Sequence, residues 1–288
     1  MHQIEKLLEE DTAGDPITGL KWTRKTIRKI ADALRKTGIN VSPNTVSKLL
    51  AEMDYSLKIN YKKIESNPKK VTPESRQKRD CQFNYISQMR SLFQQQYDAI
   101  ISTDAKKREL VGNFKNNGST WCRTSIPVNA YDFKSLSEGV FIPYGIYDVV
   151  QNTGLVVGGI SYNTSEFAVN TICRWLNFEL KSRETPIKSL LILADGGGSN
   201  GSKNRLWKLS IQEKLSNQYG MSVTVCHYPP GTSKYNPIEH RMFSEISKNW
   251  AGKPLVSYET ILKYISTTKT SSGLTVKACI DQTIYEKG

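Results

Sequence analysis

The stretch SLLILADGGGSNG (189–201) decides the fold. Its five consecutive apolar residues, 190–194, are typical of a strand that is buried on both faces of a sheet. Asp195 stands where this strand ends, and the glycines that follow allow a tight turn. We therefore predict a central buried strand that carries an acid at its carboxyl end.

On both sides of this strand, the apolar patterns predict an alternation of strands and helices. The predicted strands are 99–104, 109–114, 143–150, 154–162, 189–195 and 223–228, and the predicted helices are 165–180, 203–218 and 237–250. An antiparallel start followed by strand–helix alternation is the RNase H-like topology. From residue 98 onward we therefore expect an α/β domain with a mixed sheet flanked by helices.

Three acids lie where this topology can bring them together. Asp104 ends the first strand, Asp195 ends the buried strand, and Glu239 lies in the first turn of the last helix. Strand ends are stiff and fix the separation of two carboxylates, and oxygen ligands suit Mg²⁺. Two such ions about 3.5–4 Å apart activate an attacking oxygen and stabilise a leaving one in phosphoryl transfer. We predict that Asp104, Asp195 and Glu239 are catalytic and hold two Mg²⁺ ions, for which Mn²⁺ can substitute.

Each acid also has a simpler interpretation. A single Asp at a strand end is more often solvated, and Asn236-Pro237 followed by Glu239 matches a capping box, in which the glutamate only bonds the backbone. Asp132 and Asp148 compete for the same role from weaker positions, one in a loop and one within a strand. The agreement of three acids with one topology favours the catalytic interpretation.

The segment GGGSNG (196–201) also matches the GxGxxG pattern of dinucleotide-binding proteins. The next strand ends in His227 and Tyr228 rather than in an acid for a ribose hydroxyl, and Asp195 would repel a pyrophosphate. We interpret the glycines as allowing nucleic acid to approach Asp195 closely, with a plain flexible turn as the alternative. His227 and His240 adjoin the predicted site, and structural or phosphate-contact roles stay open for them beside catalytic ones.

Positive charge is concentrated near the amino terminus. The whole chain has a net charge of +13, and residues 21–79 hold 16 Lys and Arg against 5 Asp and Glu. Two helical patterns in this region, separated by Gly38, are typical of a helix-turn-helix, and Ser42-Pro43-Asn44 is a good start for the second helix. A local basic excess on such a motif favours DNA binding; a solvated surface without a partner is the alternative.

The predicted DNA-binding residues fall into two groups. Residues near the start of a recognition helix meet base edges, and basic residues elsewhere contact phosphates. In the helix-turn-helix region they are Lys25, Arg28, Asn44, Thr45, Ser47 and Lys48. Around the acidic motifs they are Lys203, Arg205, Lys234 and Arg241.

These patterns divide the chain into four parts. They are a lead-in at 1–20, an all-α helix-turn-helix module at 21–57, a basic linker and connecting helix at 58–97, and the catalytic domain at 98–288. The connecting helix is predicted from Pro73 to about Gln96, with Phe83, Ile86 and Phe93 on one face.

Several function classes are excluded by composition. No apolar run reaches the roughly 18 residues that a membrane span needs, and the start of the chain does not resemble a signal peptide. The five cysteines are scattered and form no CxxC pair, which argues against a zinc knuckle or a disulfide framework. We expect a cytoplasmic protein with no membrane partner.

Four longer segments carry a resemblance to one family. They are TDAKKRELVGNFKN from residue 103, YGIYDVVQNTGLVVGGISYNTSEFAVNTICRW from 144, LILADGGGSNGSKNRLWK from 191 and CHYPPGTSKYNPIEHRMFSEISKNWAGKPL from 226. Together they resemble the Rhodopirellula-type DDE transposases of bacterial insertion sequences, from about residue 20 to the end. The resemblance implies an RNase H-like catalytic domain, Mg²⁺-dependent cleavage at the ends of a mobile element, and strand transfer by a DNA 3′-hydroxyl. It places the catalytic triad on Asp104, Asp195 and Glu239.

Three functions are compatible with these expectations. The first is an active transposase of the bacterial cytoplasm, associated with the nucleoid when it binds the terminal repeats and target as double-stranded DNA. It self-associates on DNA, because transposition joins two ends. The second is a truncated, catalytically silent copy that acts as a DNA-binding protein, since family members usually extend beyond both ends of this sequence. The third is a nuclease acting on RNA–DNA hybrids. The helix-turn-helix and the resemblance favour the first.

Overall fold

The computed structural model of the chain describes residues 2–9, 12–14, 21–23, 26–55, 72–96, 98–120, 124–182, 187–232 and 235–286. The chain divides into two units, Met1–Ile64 and Glu65–Gly288. None of the described helices combines the length and the apolar composition that crossing a membrane requires.

The first unit contains the two helices of the predicted helix-turn-helix. Its elements are α1 (His2–Glu9), β1 (Thr12–Gly14), β2 (Lys21–Thr23), α2 (Ile27–Lys36) and α3 (Pro43–Glu52). The Thr26 hydroxyl caps α2 and the Ser42 hydroxyl caps α3, each by accepting a backbone N–H of the first turn. The predicted helices are therefore confirmed. Residues 1–20, interpreted as a lead-in, contribute α1, whose Ile4 is buried in one cluster with Ile30 of α2 and Val46 of α3.

The second unit alternates strands and helices. Its helices are α4 (Pro73–Gln95), α5 (Ser165–Ser182), α6 (Arg205–Ile211), α7 (Ser244–Asn249) and α8 (Tyr258–Ser266). Its strands are β3 (Ala99–Ala105), β4 (Glu109–Val111), β5 (Gly139–Asp148), β6 (Thr153–Gly159), β7 (Ser189–Ala194), β8 (Ser222–His227) and β9 (Thr275–Asp281). A π-helical turn at Gln212–Asn217 continues α6, and another at Glu239–Phe243 leads into α7.

The main sheet has seven strands, in the order β8-β7-β3-β5-β6-β9, with β4 pairing β5 beside this path. The strands β3, β5 and β6 are antiparallel neighbours, whereas β7 runs parallel to β3 and β8 runs parallel to β7. Three antiparallel strands followed by two parallel ones beside the first form the RNase H-like sheet. The predicted fold class is therefore confirmed.

Two elements at the carboxyl end were not predicted. Helix α8 leads to β9, which pairs parallel to β6 and extends the sheet on that side. In β9, Val276 and Asp281 are buried while Thr275 and Lys277 are exposed, so its apolar pattern is too weak to predict a strand. The predicted strand at 109–114 is shorter than expected and ends at Val111, because Gly112 has a φ of 147°.

Helices cover both faces of the sheet, as the alternation of side chains along its strands requires. Leu155 and Val157 of β6 belong to the cluster that includes Phe167 of α5. Between them, Val156 belongs to the cluster that includes Ile246 of α7 and Ile261 of α8. A third cluster places Phe93 of α4 against the remaining strands, including Ile100 and Leu191.

Two glycines form a hollow in the face of the sheet that α7 covers. A Cβ atom on Gly145 of β5 would lie 2.6 Å from the Phe243 ring, and one on Gly154 of β6 would lie 2.2 Å from the sulfur of Met242. The missing side chains allow Met242 and Phe243 to pack directly on the strands. This close packing fixes the π-helical turn, and therefore Glu239 at its start, against the sheet.

Candidate active site

The register of two parallel strands brings the first two predicted acids together. Thr103 of β3 pairs with Ala194 of β7, and each is followed by an aspartate. Neighbouring strands lie about 4.8 Å apart, so Asp104 and Asp195 occupy adjacent positions at the carboxyl ends of the two strands. On the other side, Asp104 pairs with Gly145 of β5, which carries no side chain.

The third acid is fixed to the same strand by a buried hydrogen-bond network. The Ser102 hydroxyl donates to Oδ1 of Asn236, and Nδ2 of Asn236 lies 3.4 Å from the carbonyl oxygen of Thr103. The same hydroxyl accepts the backbone N–H of Ile238 at 3.1 Å. Ser102, Asn236 and Ile238 are completely buried. The start of the helix that carries Glu239 is therefore bound to β3, two residues before Asp104.

This network explains the NPIE motif differently from a capping box. The Asn236 side chain bonds β3, and the hydroxyl of Ser102 on that strand accepts a helix N–H in its place. The Asp104 side chain and the charge of Asp195 both act on the pKa of the Glu239 carboxyl. Glu239 thus faces the other acids, which is the orientation required by the catalytic interpretation.

The proximity of the three acids changes the pKa of Asp104. Burial, the charge of Asp195 and the charge of Glu239 together raise the pKa of Asp104 from 3.8 to about 7. The Ala105 N–H, 2.7 Å from Oδ1, and the Asn236 amide oppose this rise in pKa but do not cancel it. Ionising all three acids at neutral pH therefore requires positive charge at this edge of the sheet.

The pKa values of the other two acids are also raised by burial, and nearby cations offset part of this rise. Burial raises the pKa of Asp195, while the Gly197 N–H and the charge of His227 act in the opposite direction. Burial raises the pKa of Glu239 too, against the charges of Lys106 and His240. The Lys106 ammonium is held 4.9 Å from the centre of the Trp250 ring.

The acids provide the donor set that a hard divalent cation prefers. In the described part of the chain, no group of three or more His, Cys, Asp or Glu side chains is arranged so that it could hold a metal ion as it stands. Mg²⁺ is commonly held by only one or two carboxylates, with water and substrate phosphate as the remaining ligands. Pairs of carboxylates from Asp104, Asp195 and Glu239 fit this mode of binding, and their raised pKa values favour a cation between them.

The glycine-rich loop beside Asp195 is anchored by hydrogen bonds rather than free to move as a plain turn. Oδ1 of Asn200 accepts the Tyr144 hydroxyl at 2.6 Å, and the Asn200 carbonyl accepts Nε2 of His227 at 2.7 Å. The Ser165 hydroxyl donates to the carbonyl of Ser199 at 2.7 Å. His227 therefore has a structural role in this loop and also contributes charge next to Asp195.

The competing acid Asp148 has a different role. Its Oδ1 accepts the backbone N–H groups of Val150 and Gln151, at 2.9 and 2.8 Å, in the turn between β5 and β6. It pairs with Ile101, three residues from Asp104 along β3, which places it towards the other end of the strand. Asp132 is exposed in the segment before β5.

The residues predicted to bind DNA are exposed wherever the structure describes them. On the first unit they are Arg28, Asn44, Thr45, Ser47 and Lys48, and on the second unit they are Lys203, Arg205 and Arg241. Lys25 and Lys234 lie outside the described residues. The DNA contacts of the whole set stay a prediction.

Four residues of the site were not predicted. Ser102 could have been recognised from the sequence. It is a polar residue in an apolar strand, and the alternation of side chains puts it on the same face as Asp104. Lys106 follows Asp104 by two residues but looked like one of many surface cations. Tyr144 and Asn200 meet only through the folding of β5 against the glycine-rich loop, and no local pattern predicts that contact.

An RNase H-like sheet with acids at the ends of two neighbouring strands, β3 and β7, and a third acid in the helical turn before α7 is the arrangement expected of the DDE class of proteins. A family model described as the Rhodopirellula transposase DDE domain matches residues 3–288. The chain belongs to this family of DDE transposases.

More distant similarities were found among solved structures. The Mos1 transposase paired-end complex with left transposon end is 14% identical, covers 92% of this chain and 69% of its own, and has a TM-score of 0.48. The Mos1 mariner paired end complex with Mn is 15% identical over the same shares, also with a TM-score of 0.48. The HTLV-2 integrase catalytic core domain in complex with magnesium is 13% identical over 62% of this chain and 92% of its own, with a TM-score of 0.33. No curated protein matches the sequence.

The Ser102 network predicts a specific loss of stability. Ser102→Ala leaves the buried N–H of Ile238 without its acceptor, so we expect the free energy of unfolding to fall by about 1–3 kcal/mol. The matched control is Ser247→Ala, whose hydroxyl only bonds the Phe243 carbonyl within the helix, and which should change it by about 0.5 kcal/mol or less. Thermal or urea unfolding of both variants measures the difference, and an equal effect would contradict the role assigned to Ser102.

The raised pKa of Asp104 predicts a pH dependence of stability. Between pH 4 and about 7 the folded Asp104 holds a proton that the unfolded chain releases, so stability falls as pH rises through this window, by up to about 4 kcal/mol. Asp104→Asn should flatten this dependence, and Glu259→Gln, at an exposed position on α8, should leave it unchanged. Unfolding midpoints between pH 4 and 8 without divalent cations test this. The same slope in wild type and Asp104→Asn would contradict it.

Proposed function

We propose that this chain is a DNA transposase that cleaves DNA at the ends of a mobile element and transfers the strands to target DNA. Asp104, Asp195 and Glu239 are the proposed catalytic acids and the ligands of two Mg²⁺ or Mn²⁺ ions. The observation that carries the proposal is the adjacency of Asp104 and Asp195 across the β3–β7 register, with the start of the helix that carries Glu239 bonded to Ser102 of β3.

The residues around the acids support this chemistry. When bound, the two ions supply Lewis-acid activation of a water or a 3′-hydroxyl and stabilise the leaving oxygen. The charges of Asp195 and Glu239 both raise the pKa of Asp104, and the charge of Asp195 also raises the pKa of Glu239. Lys106 adds a positive charge beside Glu239. Gly196, Gly197 and Gly198 are exposed, which leaves room for a DNA backbone to approach Asp195.

The first unit supports sequence recognition in this proposal. Asn44, Thr45, Ser47 and Lys48 lie in the first turns of α3 and are exposed, whereas Val46 between them is buried. Polar side chains on the first turns of the second helix are placed to meet base edges in the major groove. We therefore propose that α3 reads the terminal repeats as double-stranded DNA. Two copies assemble on DNA because two ends must be joined.

We propose that the segments predicted from the sequence have separate functions. Residues 21–57 recognise DNA, 58–97 connect, and 98–288 carry out catalysis. In this arrangement, the positive charge of residues 21–79 contacts the phosphates of the duplex. We also propose that the protein acts on DNA in the bacterial cytoplasm.

Cleavage of a plasmid that carries the DNA flanking this gene tests the proposal. In Mg²⁺ or Mn²⁺, the intact chain should cut at defined ends, and Asp195→Asn or Glu239→Gln should lower the rate by about 1000-fold or more, since each carboxylate supports several kcal/mol of charge stabilisation. Glu259→Gln removes a carboxylate from an exposed site on α8 and should cut at the wild-type rate.

The possible outcomes separate the candidate functions. Cutting that survives in Asp195→Asn would contradict the assigned site. Specific binding in a mobility-shift assay without any cutting by the intact chain would instead support a catalytically silent, DNA-binding copy. Preference for RNA–DNA hybrids over element ends would support a nuclease of that type.

A further inference from the structure

A second basic feature lies outside the three acids. A cavity of about 300 Å³ is lined by four cationic side chains, and we call it the basic cavity. Its cations are Lys107, Arg108, Lys115 and Lys134. The side chains of Phe114 and Leu255, both almost completely buried, also line it and provide apolar surface.

The walls of the basic cavity are held in place by backbone hydrogen bonds. The Gly112 N–H donates to the Leu255 carbonyl at 2.8 Å, which joins the segment after β4 to the segment before α8. The Glu138 N–H donates to the Val111 carbonyl at 2.9 Å, which joins the same region to the start of β5. The cavity is therefore formed before any ligand arrives, and binding requires little reorganisation of its backbone.

Among the residues that the structure describes, the positive charges of the basic cavity are not balanced by acids. None of its four cations forms an ion pair with any residue that the structure describes. Of the two acids in the lining, Glu109 lies 3.6 Å from the Lys106 ammonium, outside the set of four, and Asp132 is the other. Four cations against these two acids, one of them already paired, favour an anionic ligand.

The basic cavity lies close to the acids along the chain. Lys107 follows Asp104 by three residues, and three residues of extended chain span at most about 10 Å. One strand of duplex DNA rises about 3.4 Å per nucleotide. A strand with one phosphate at Asp104 would therefore present other phosphates to Lys107, at one edge of the cavity, within about three nucleotides.

We infer that the basic cavity binds the sugar–phosphate backbone of the DNA strand that is cut, a few nucleotides from the cut. This inference rests on the proposed function and extends it. The phosphates contact the four cations. Because these contacts involve the backbone alone, the cavity orients the strand over the acids without reading its sequence.

The test measures DNA binding by the full chain without divalent metal, so that it does not depend on cleavage. The variant Lys115→Ala/Lys134→Ala is compared with Lys181→Ala/Lys263→Ala, which removes the same charge from exposed positions on α5 and α8. The probe is a fluorescently labelled duplex of unrelated sequence, titrated between about 50 and 300 mM NaCl. Loss of two phosphate contacts lowers the slope of log affinity against log salt by about 1.8. We expect this change, with a roughly tenfold loss of affinity near 100 mM NaCl, in the cavity variant only.

Two results would overturn the inference. Equal losses in both variants would show a general charge effect. An unchanged salt slope in the cavity variant, together with weaker self-association in sedimentation, would assign the cavity to a second copy of the chain. If instead the cavity variant shows the expected slope but the wild type never cuts DNA, binding of the DNA backbone by the cavity stands, whereas its place beside a cut and the proposed catalytic function both fail.

Discussion

The in-register pairing of the parallel strands β3 and β7 is the constraint on which the rest of the site depends. It sets Asp104 beside Asp195 at the same edge of the sheet. Burial, the charge of the adjacent Asp195 and the charge of Glu239 raise the pKa of Asp104 to about 7. The sheet holds this arrangement through the buried apolar residues of β3 and β7. Positive charge at this edge would lower the raised pKa of Asp104.

The third acid depends on the same strand. The hollow left by Gly145 and Gly154 admits the side chains that follow Glu239, and the Ser102 hydroxyl receives the first free N–H of its helix. The two glycines lie on β5 and β6, and Ser102 lies on β3, so both contacts hold Glu239 against the same sheet. The three carboxylates are thus positioned by one sheet, and the basic cavity begins where β3 ends. The proposed binding of DNA and the positioning of the acids would therefore depend on the same sheet.

The sequence predicts the parts of this structure that depend on local patterns. The strand SLLILAD is recognisable because a parallel strand is apolar throughout, and α2 and α3 are recognisable from their caps and apolar spacing. The acids could be proposed because strand ends are predictable positions. In contrast, β9 alternates weakly, the capping role of Ser102 joins residues 136 apart, and the basic cavity requires the segment near Leu255 to meet β4. Such long-range contacts leave no local pattern, and the catalytic role of the acids stays a proposal.

The most direct test of the account is to locate divalent ions in crystals of the protein. Crystals soaked in Mn²⁺ and measured by anomalous scattering should show two peaks. Both should contact Asp104, one shared with Asp195 and the other with Glu239, and both should disappear in Asp104→Asn. Absence of peaks at these acids in well-diffracting crystals, or peaks at Asp132 or Asp148 instead, would contradict the central claim.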